Sequence, residues 1–142
     1  MGIRDIFGRN ININHEIRDR YDNISSGFIF KDNPDLKDNK HIFMLCLALG
    51  YKVNNRLPFK DPVGLLNVSS FSDEDLWTIA SVAVDETEDL KVITSGPDMK
   101  KIASEYAHGG LAELEQLIAD YGSDEGLELA LEKIATESLG NN

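Results

Sequence analysis

The stretch that decides the fold is HIFMLCLALGYKVNNRLPF, residues 41–59. Eight apolar residues run without a break from Ile42 to Leu49. Met, Leu and Ala favour a helix over a strand, and a run that is apolar on every side is typical of a buried helix. Asp38 or Asn39 can cap its start. Gly50 predicts its end, because glycine adopts the left-handed conformation without a Cβ clash.

A second helix is predicted to begin after Ser72. Asp75 follows three residues later, where its carboxylate can complete a capping box. Three acids in the first turn also suit the positive end of the helix dipole. The apolar residues that follow at helical spacing are Leu76, Trp77, Ile79, Ala80, Ala83 and Val84.

Three more helices are predicted in the C-terminal half. The third begins near Pro97, since proline is favoured in a first turn, where no amide donor is required. HGG, residues 108–110, predicts its end and a sharp turn, because two glycines permit unusual backbone angles. The fourth helix covers Leu111 to Tyr121 and the fifth covers Asp124 to Ser138. Five helices with short connections predict a mainly α protein, a compact helical bundle.

The segments outside these helices have weaker patterns. In the N-terminal region, NININ predicts a short strand or, around His15 to Tyr21, a short helix. We interpret residues 1–27 as a short, partly extended N-terminal arm that is only partly ordered, and residues 28–142 as a single helical domain. YKVNNRLPFKDPVGLLNVSS, residues 51–70, is expected to be a loop, since Asn, Pro and Gly break regular structure. Short extended segments are expected at 28–30 and 91–94.

Length and composition indicate one globular domain. The chain has 142 residues, of which 42% are apolar and 27% charged, and this length can bury a sizeable core. Its one cysteine, Cys46, lies inside the apolar run, so we expect a packing role and no disulfide framework. No stretch has the roughly 18 apolar residues of a membrane span. We therefore expect a cytoplasmic protein, and the sequence leaves its oligomeric state open.

The charge is unevenly distributed. Residues 1–60 carry ten Lys or Arg and seven Asp or Glu, a net charge of +3. Residues 61–142 carry four against eighteen, a net charge of −14. The acidic half should repel nucleic acid phosphates, so any direct DNA contact is expected through the N-terminal half.

The usual signatures of catalysis are missing from the sequence. It has no glycine-rich phosphate loop, no dinucleotide fingerprint and no zinc spacing of cysteines. His15-Glu16 begins like a zinc protease motif, but Asp19 stands where the second histidine is needed. Asp89 and Lys91 resemble half of a metal-dependent nuclease site, in which carboxylates hold Mg²⁺. We prefer to interpret them as a solvated C-terminal helix end, and we expect no catalytic site, no metal and no cofactor.

The basic segment after Gly50 is the candidate binding surface. Cations and aromatic side chains alternate there, an arrangement that can meet phosphate or a protein partner. It can also be a polar loop that covers the end of the first helix. The candidate partner-binding residues are Tyr51, Lys52, Asn55, Arg56, Phe59 and Lys60.

These residues also carry a family resemblance. ALGYK followed by NRLPF is similar to the start of a small bacterial family called dnd system-associated protein four. The resemblance continues through FSDEDLWTIASVAVDETEDLKVI and IASEYAHGGLAELEQLI, and it covers roughly residues 28–120. Dnd systems replace a DNA backbone oxygen with sulfur.

The resemblance implies an accessory or regulatory protein of a phage-defence locus that binds a larger protein of the defence complex. It implies no reaction and no catalytic residue. The alternatives are a DNA-binding module that uses the basic N-terminal half, an acidic DNA mimic that inhibits a DNA-binding partner, and a small nuclease with Asp89 and Lys91.

Overall fold

The computed structural model describes residues 2–25 and 39–121 of the chain. This part is mainly α, as the sequence predicts, and contains five α-helices and one two-stranded sheet. The elements are α1 (Ile3–Phe7), β1 (Asn10–Ile13), α2 (His15–Ser25), α3 (Asn39–Lys52), β2 (Val63–Asn67), α4 (Asp73–Thr87) and α5 (Gly96–Tyr121), with 3₁₀ turns at Val68–Ser70 and Leu90–Thr94.

Helix α3 is the central helix that the apolar run predicts. Its buried residues are Ile42, Phe43, Cys46, Leu47, Leu49 and Gly50. The predicted end at Gly50 is wrong, because α3 continues to Lys52. Gly50 instead lets α3 and α5 approach each other closely, since a Cβ there would lie 1.9 Å from the carbonyl oxygen of Tyr106 in α5.

Helix α5 overturns the predicted stop at residues 108–110. It is one helix of 26 residues, so the predicted third and fourth helices are its two halves. Gly110 lies inside the crossing with α3, where a Cβ would lie 1.6 Å from the carbonyl oxygen of Cys46. The cost of glycine in a helix interior is about 1 kcal/mol, and this close packing offsets it. The predicted fifth helix, residues 124–138, lies outside the described residues.

Helix α4 begins as its sequence predicts. Ser72 Oγ accepts a hydrogen bond from the amide of Asp75 at 3.1 Å. The Asp75 carboxylate accepts one from the amide of Ser72, also at 3.1 Å. This capping box satisfies two backbone donors that a helix start leaves without partners.

The two-stranded sheet corrects the prediction for residues 51–70. β1 pairs with β2 in antiparallel orientation, with Ile11 opposite Leu66 and Ile13 opposite Val63. The segment therefore contains a strand and a 3₁₀ turn in addition to a loop. The local sequence does not predict this strand, because it is rich in turn residues and the strand is stabilised by pairing with β1, some fifty residues earlier in the chain. Residues 91–94 also differ from the prediction, since they lie in a 3₁₀ turn and not in an extended segment.

The predicted N-terminal arm is ordered around the core. β1 is its extended part, and His15–Ser25 takes the helical alternative. Its apolar side chains that are buried in the core are Ile3, Phe7, Ile11, Ile13, Ile17, Tyr21 and Ile24. The division between residues 27 and 28, like the expected extended run at 28–30, lies outside the described residues, so the two-part organisation stays a prediction.

Candidate partner-binding surface

The loop after α3 lies over α5 and is held there by its backbone. The amide of Leu57 donates to the carbonyl oxygen of Glu105 at 3.0 Å, and the amide of Asn55 donates to Gly50 at 2.8 Å. A Cβ on Gly109 would lie 1.9 Å from the Asn55 carbonyl oxygen. The glycine therefore lets the loop backbone rest directly on the helix.

Arg56 joins this loop to two helices. Its Nε donates to Glu105 of α5 at 2.7 Å, and its Nη1 donates to Glu86 of α4 at 2.9 Å. Hydrogen bonds between a guanidinium and a carboxylate are strong because both groups are charged. Arg56 is therefore compensated inside the protein and is not a free cation of the surface.

Two tyrosines stand beside this ion pair. Tyr51 donates its hydroxyl to Asp85, and Tyr106 donates to Glu86. Their rings meet edge to face with centroids 5.8 Å apart. The bond to Asp85 raises the pKa of Tyr51 to about 12. Burial, followed by the bond to Glu86, raises the pKa of Tyr106 to about 12.

Glu86 is the carboxylate that these groups share. The Tyr106 hydrogen bond, and after it the bond and charge of Arg56, hold the pKa of Glu86 below its usual value. Glu86 is therefore ionised throughout the neutral range, which keeps both of its partners in place.

Phe59 and Lys60 end the loop. Phe59 packs edge to face against His108 at 5.7 Å. His108 Nδ1 lies 3.1 Å from the carbonyl oxygens of Leu57 and Pro58. Because carbonyl oxygens only accept, Nδ1 carries the hydrogen. Asn14 donates to the carbonyl of Lys60 at 2.9 Å, and the Lys60 side chain points into solvent.

The six predicted binding residues thus divide into two groups. Asn55, Arg56 and Phe59 hold the loop against α4 and α5. Tyr51, Lys52 and Lys60 are exposed.

A cleft of about 890 Å³ separates α3 from α4. Tyr51, Asp85, Glu86 and Tyr106 line it, together with Ala48, Lys52, Asn54, Thr78, Ser81 and Val82. We call it the α3–α4 cleft.

Four apolar side chains of α3, of the loop after it and of α4, the elements that line much of this cleft, are exposed, and we call them the apolar rim. They are Tyr51, Val53, Leu57 and Trp77, with exposed fractions of 38%, 48%, 38% and 50%. Val53 is adjacent in the chain to Lys52 and Asn54, which line the cleft. Leu57 is adjacent to Arg56, which joins the loop to α4 and α5. Trp77 lies one helical turn before Ser81, a lining residue, and so on the same side of α4.

Most of this rim is not evident from the sequence. The spacing predicts Trp77 in the apolar stripe of α4, and the structure turns that side chain outward. Ser81 and Asp85, four and eight residues later, were the available signal, because they mark the face of Trp77 as a polar one. Val53 and Leu57 carried no local signal, since single apolar residues in a loop are common.

The remaining sequence candidates have structural roles. Asp89 accepts the amide of Lys91 at 2.9 Å and caps the 3₁₀ turn, so it does not lie on the strand that a nuclease half-site requires. Cys46 is fully buried, as predicted, and burial raises the pKa of its thiol. Within residues 2–25 and 39–121, no three His, Cys, Asp or Glu side chains are grouped as metal ligands.

None of the helices in the described part of the chain is long and apolar enough to cross a bilayer.

The fold and the surface define a small, mainly helical protein with an acidic helix, α4, and an exposed apolar rim. The family model of DNA sulphur modification system-associated protein 4 matches residues 32–140, and the chain belongs to this family. The match confirms the resemblance seen in the sequence and extends it beyond residue 120. The family name associates the protein with a DNA sulphur modification system. Comparisons with curated proteins and with solved structures gave no match.

Proposed function

We propose that this protein is a non-catalytic accessory or regulatory component of an anti-phage defence system linked to DNA sulphur modification, and that it acts by binding a larger protein of that system. The observation that carries the proposal is the apolar rim beside the α3–α4 cleft. Exposed aromatic and aliphatic side chains grouped around a concave surface are typical of protein interaction sites.

The charge around the rim suggests the chemistry of the partner. The segment 73–89, which contains α4, has seven acidic residues and no Lys or Arg. Trp77 stands in this segment with half of its surface exposed. A partner segment that combines apolar residues with Arg or Lys would complement both features, because cations are attracted to acids and to the face of an indole ring.

Direct DNA binding through the N-terminal half receives less support. Arg4 is bound to Asp73, Arg20 to Glu115, and Arg56 to two glutamates. Phosphate binding needs cations that can exchange counterions for phosphate contacts, and these three arginines already have carboxylate partners. A protein partner therefore agrees better with the charges on this surface.

The test is a binding assay between the purified full chain and each purified protein of the same DNA sulphur modification system. We expect one of them to bind, and we expect Trp77→Ser to weaken that complex about thirtyfold or more, since truncating a hot-spot tryptophan costs about 2 kcal/mol or more. Leu90→Ser is the matched control, because Leu90 is 72% exposed and lies in the 3₁₀ turn beyond the far end of α4.

Two results would contradict the proposal. One is that none of the system's proteins binds the wild-type chain. The other is that Trp77→Ser and Leu90→Ser weaken the complex equally. Added duplex DNA gives a further distinction: an accessory complex should withstand it, whereas a DNA mimic should be displaced from its partner.

A further inference from the structure

A second cleft, of about 440 Å³, runs along the first half of α5. We call it the α5 cleft. One wall is a stripe of α5 with helical spacing, made of Pro97, Lys100, Lys101, Ser104 and Glu105. Asn12 of β1 and the loop residues Phe59 and Pro62 complete the lining. The volume lies within the range of about 300–1,000 Å³ that is usual for small-molecule sites.

The two lysines of the stripe have no carboxylate partner in the described part of the chain. Lys100 Nζ donates to the backbone carbonyl of Asn10 at 3.0 Å, which positions the ammonium group without neutralising it. An ammonium group has three donors, so two remain. Glu105 also lines the cleft, and it shares the single charge of Arg56 with Glu86, so its carboxylate offsets part of the charge of the two lysines. In a chain with a net charge of −11, this cleft therefore presents a net positive charge.

Ser104 is the most unusual member of the lining. It is 2% exposed, and its hydroxyl has no hydrogen-bond partner among the described residues. Helical Ser and Thr commonly bond to the carbonyl four residues earlier, as Thr78 and Ser81 do in α4 at 2.9 Å. Buried hydroxyl groups are nearly always bonded. The oxygen itself is closed to solvent, so a donor or acceptor from a bound molecule supplies the missing partner only after the Ser104 side chain rotates toward the cleft.

Apart from Asn12, the remaining lining is apolar. Phe59 is half-buried, with its ring held edge-on by His108, and Pro62 and Pro97 are exposed beside the cleft. Aromatic and proline surfaces accept a planar ring, and ring stacking depends little on the identity of a base.

We propose that the α5 cleft binds a flat-ringed organic phosphate of mononucleotide size. The ring lies against Phe59 and Pro62, and the phosphate lies at Lys100 and Lys101. A phosphate monoester carries a charge of about −1.5 to −2 at neutral pH, which matches two ammonium groups better than a single carboxylate would. The Ser104 hydroxyl bonds to the bound molecule at the floor of the cleft.

The test is a nuclear magnetic resonance titration of the full chain with adenosine 5′-monophosphate, with adenosine and inorganic phosphate as separate halves of the probe. We expect the nucleotide to shift the amides of residues 59–62 and 97–105, and each half to bind about tenfold more weakly or worse. Lys101→Gln should weaken nucleotide binding about fivefold or more, while Lys91→Gln, an exposed lysine outside the cleft, should leave it unchanged. Ser104→Ala should weaken it without lowering the melting temperature.

The proposal is overturned if the nucleotide shifts none of these amides at millimolar concentration. It is also overturned if adenosine alone binds as well as the nucleotide, or if Lys91→Gln weakens binding as much as Lys101→Gln. The experiment involves no partner protein, so its outcome is independent of the accessory function proposed above.

Discussion

Helix α5 meets the segment 46–57 in two neighbouring contacts. One is mainly apolar, and the other relies on charged and polar groups. At the crossing with α3, the backbone of Gly110 touches the backbone of Cys46 and apolar side chains surround the contact. At the loop, the contact includes the Arg56–Glu105 ion pair and the backbone hydrogen bond from Leu57 to Glu105. Both contacts have a glycine with no room for an added carbon, Gly110 in the first and Gly109 in the second. The second contact differs because it relies on charged and polar groups, is partly solvated and lies beside the proposed interaction surface.

The largest expected effect is at the crossing. In Gly110→Ala the new Cβ would lie 1.6 Å from one backbone atom of Cys46 and 2.6 Å from another. A backbone cannot yield as a side-chain tip can, so the helices must separate. We expect a loss of more than about 3 kcal/mol of unfolding free energy, measured by urea denaturation.

Gly2→Ala is the control for this substitution, because no atom lies within 4 Å of its Cβ position. It should cost about 1 kcal/mol or less, because Gly2 is the N-cap of α1, where alanine is less favourable than glycine but meets no steric clash. A Gly110→Ala protein as stable as the wild type would mean that α3 and α5 are farther apart than described.

A smaller effect is expected at the loop. Arg56→Met removes the hydrogen bonds to Glu86 and Glu105 and leaves the exposed Glu86 and the partly buried Glu105 without their cation. We expect a loss of about 2 kcal/mol, since hydrogen bonds to charged groups contribute about 1.5–3 kcal/mol. Urea denaturation of Arg56→Met, Glu105→Gln and the double variant measures the coupling between the two side chains.

Lys60→Met is the matched control for Arg56→Met. Lys60 is a cation of the same loop whose side chain is exposed and whose hydrogen bond to Asn14 uses only its backbone carbonyl. Equal losses in Arg56→Met and Lys60→Met would show that the ion pairs add nothing to the loop contact.

The smallest effect is a pH dependence at the tyrosine pair beside the loop. The folded pKa of Tyr51 and of Tyr106 is about 12, against 10.0 for an ordinary tyrosine. Their stabilising contribution is therefore fully present below about pH 10 and is lost as the pH rises toward about 12, because the unfolded chain ionises first. Ultraviolet absorbance of tyrosinate should show a late titration step, and Tyr51→Phe should reduce it.

One result would contradict this predicted pH dependence. If all tyrosines of the folded protein ionise near their ordinary pKa while circular dichroism still reports native helix, then the hydroxyl bonds to Asp85 and Glu86 are not formed in solution.

Local patterns predicted the helices correctly where the cause is local. The apolar run of α3 has one stable solution, a buried helix, and the capping box of α4 depends only on Ser72 and its first turn. Two glycines show where local patterns cannot predict the structure. Gly50 and Gly110 are compatible with a helix end and with a close helix crossing, and the choice depends on the other helix, which lies about sixty residues away in the chain.

The same limit applies to the candidate surface. Sequence reasoning selected the loop after α3 through its cations and aromatic residues. It could not separate Arg56, which α4 and α5 neutralise, from Lys60, which stays exposed. The outward position of Trp77 and the missing partner of Ser104 likewise depend on what packs around them.

By itself, the sequence determined the helical class, the buried central helix, the start of α4, the uneven charge and the family. These follow from composition, from periodicity and from groups a few residues apart. Only the tertiary structure decided that residues 108–110 continue a helix, that β2 pairs with the N-terminal arm, and which cations remain uncompensated. Each of these depends on a contact between segments distant in the chain, and its free energy is absent until both segments are brought together.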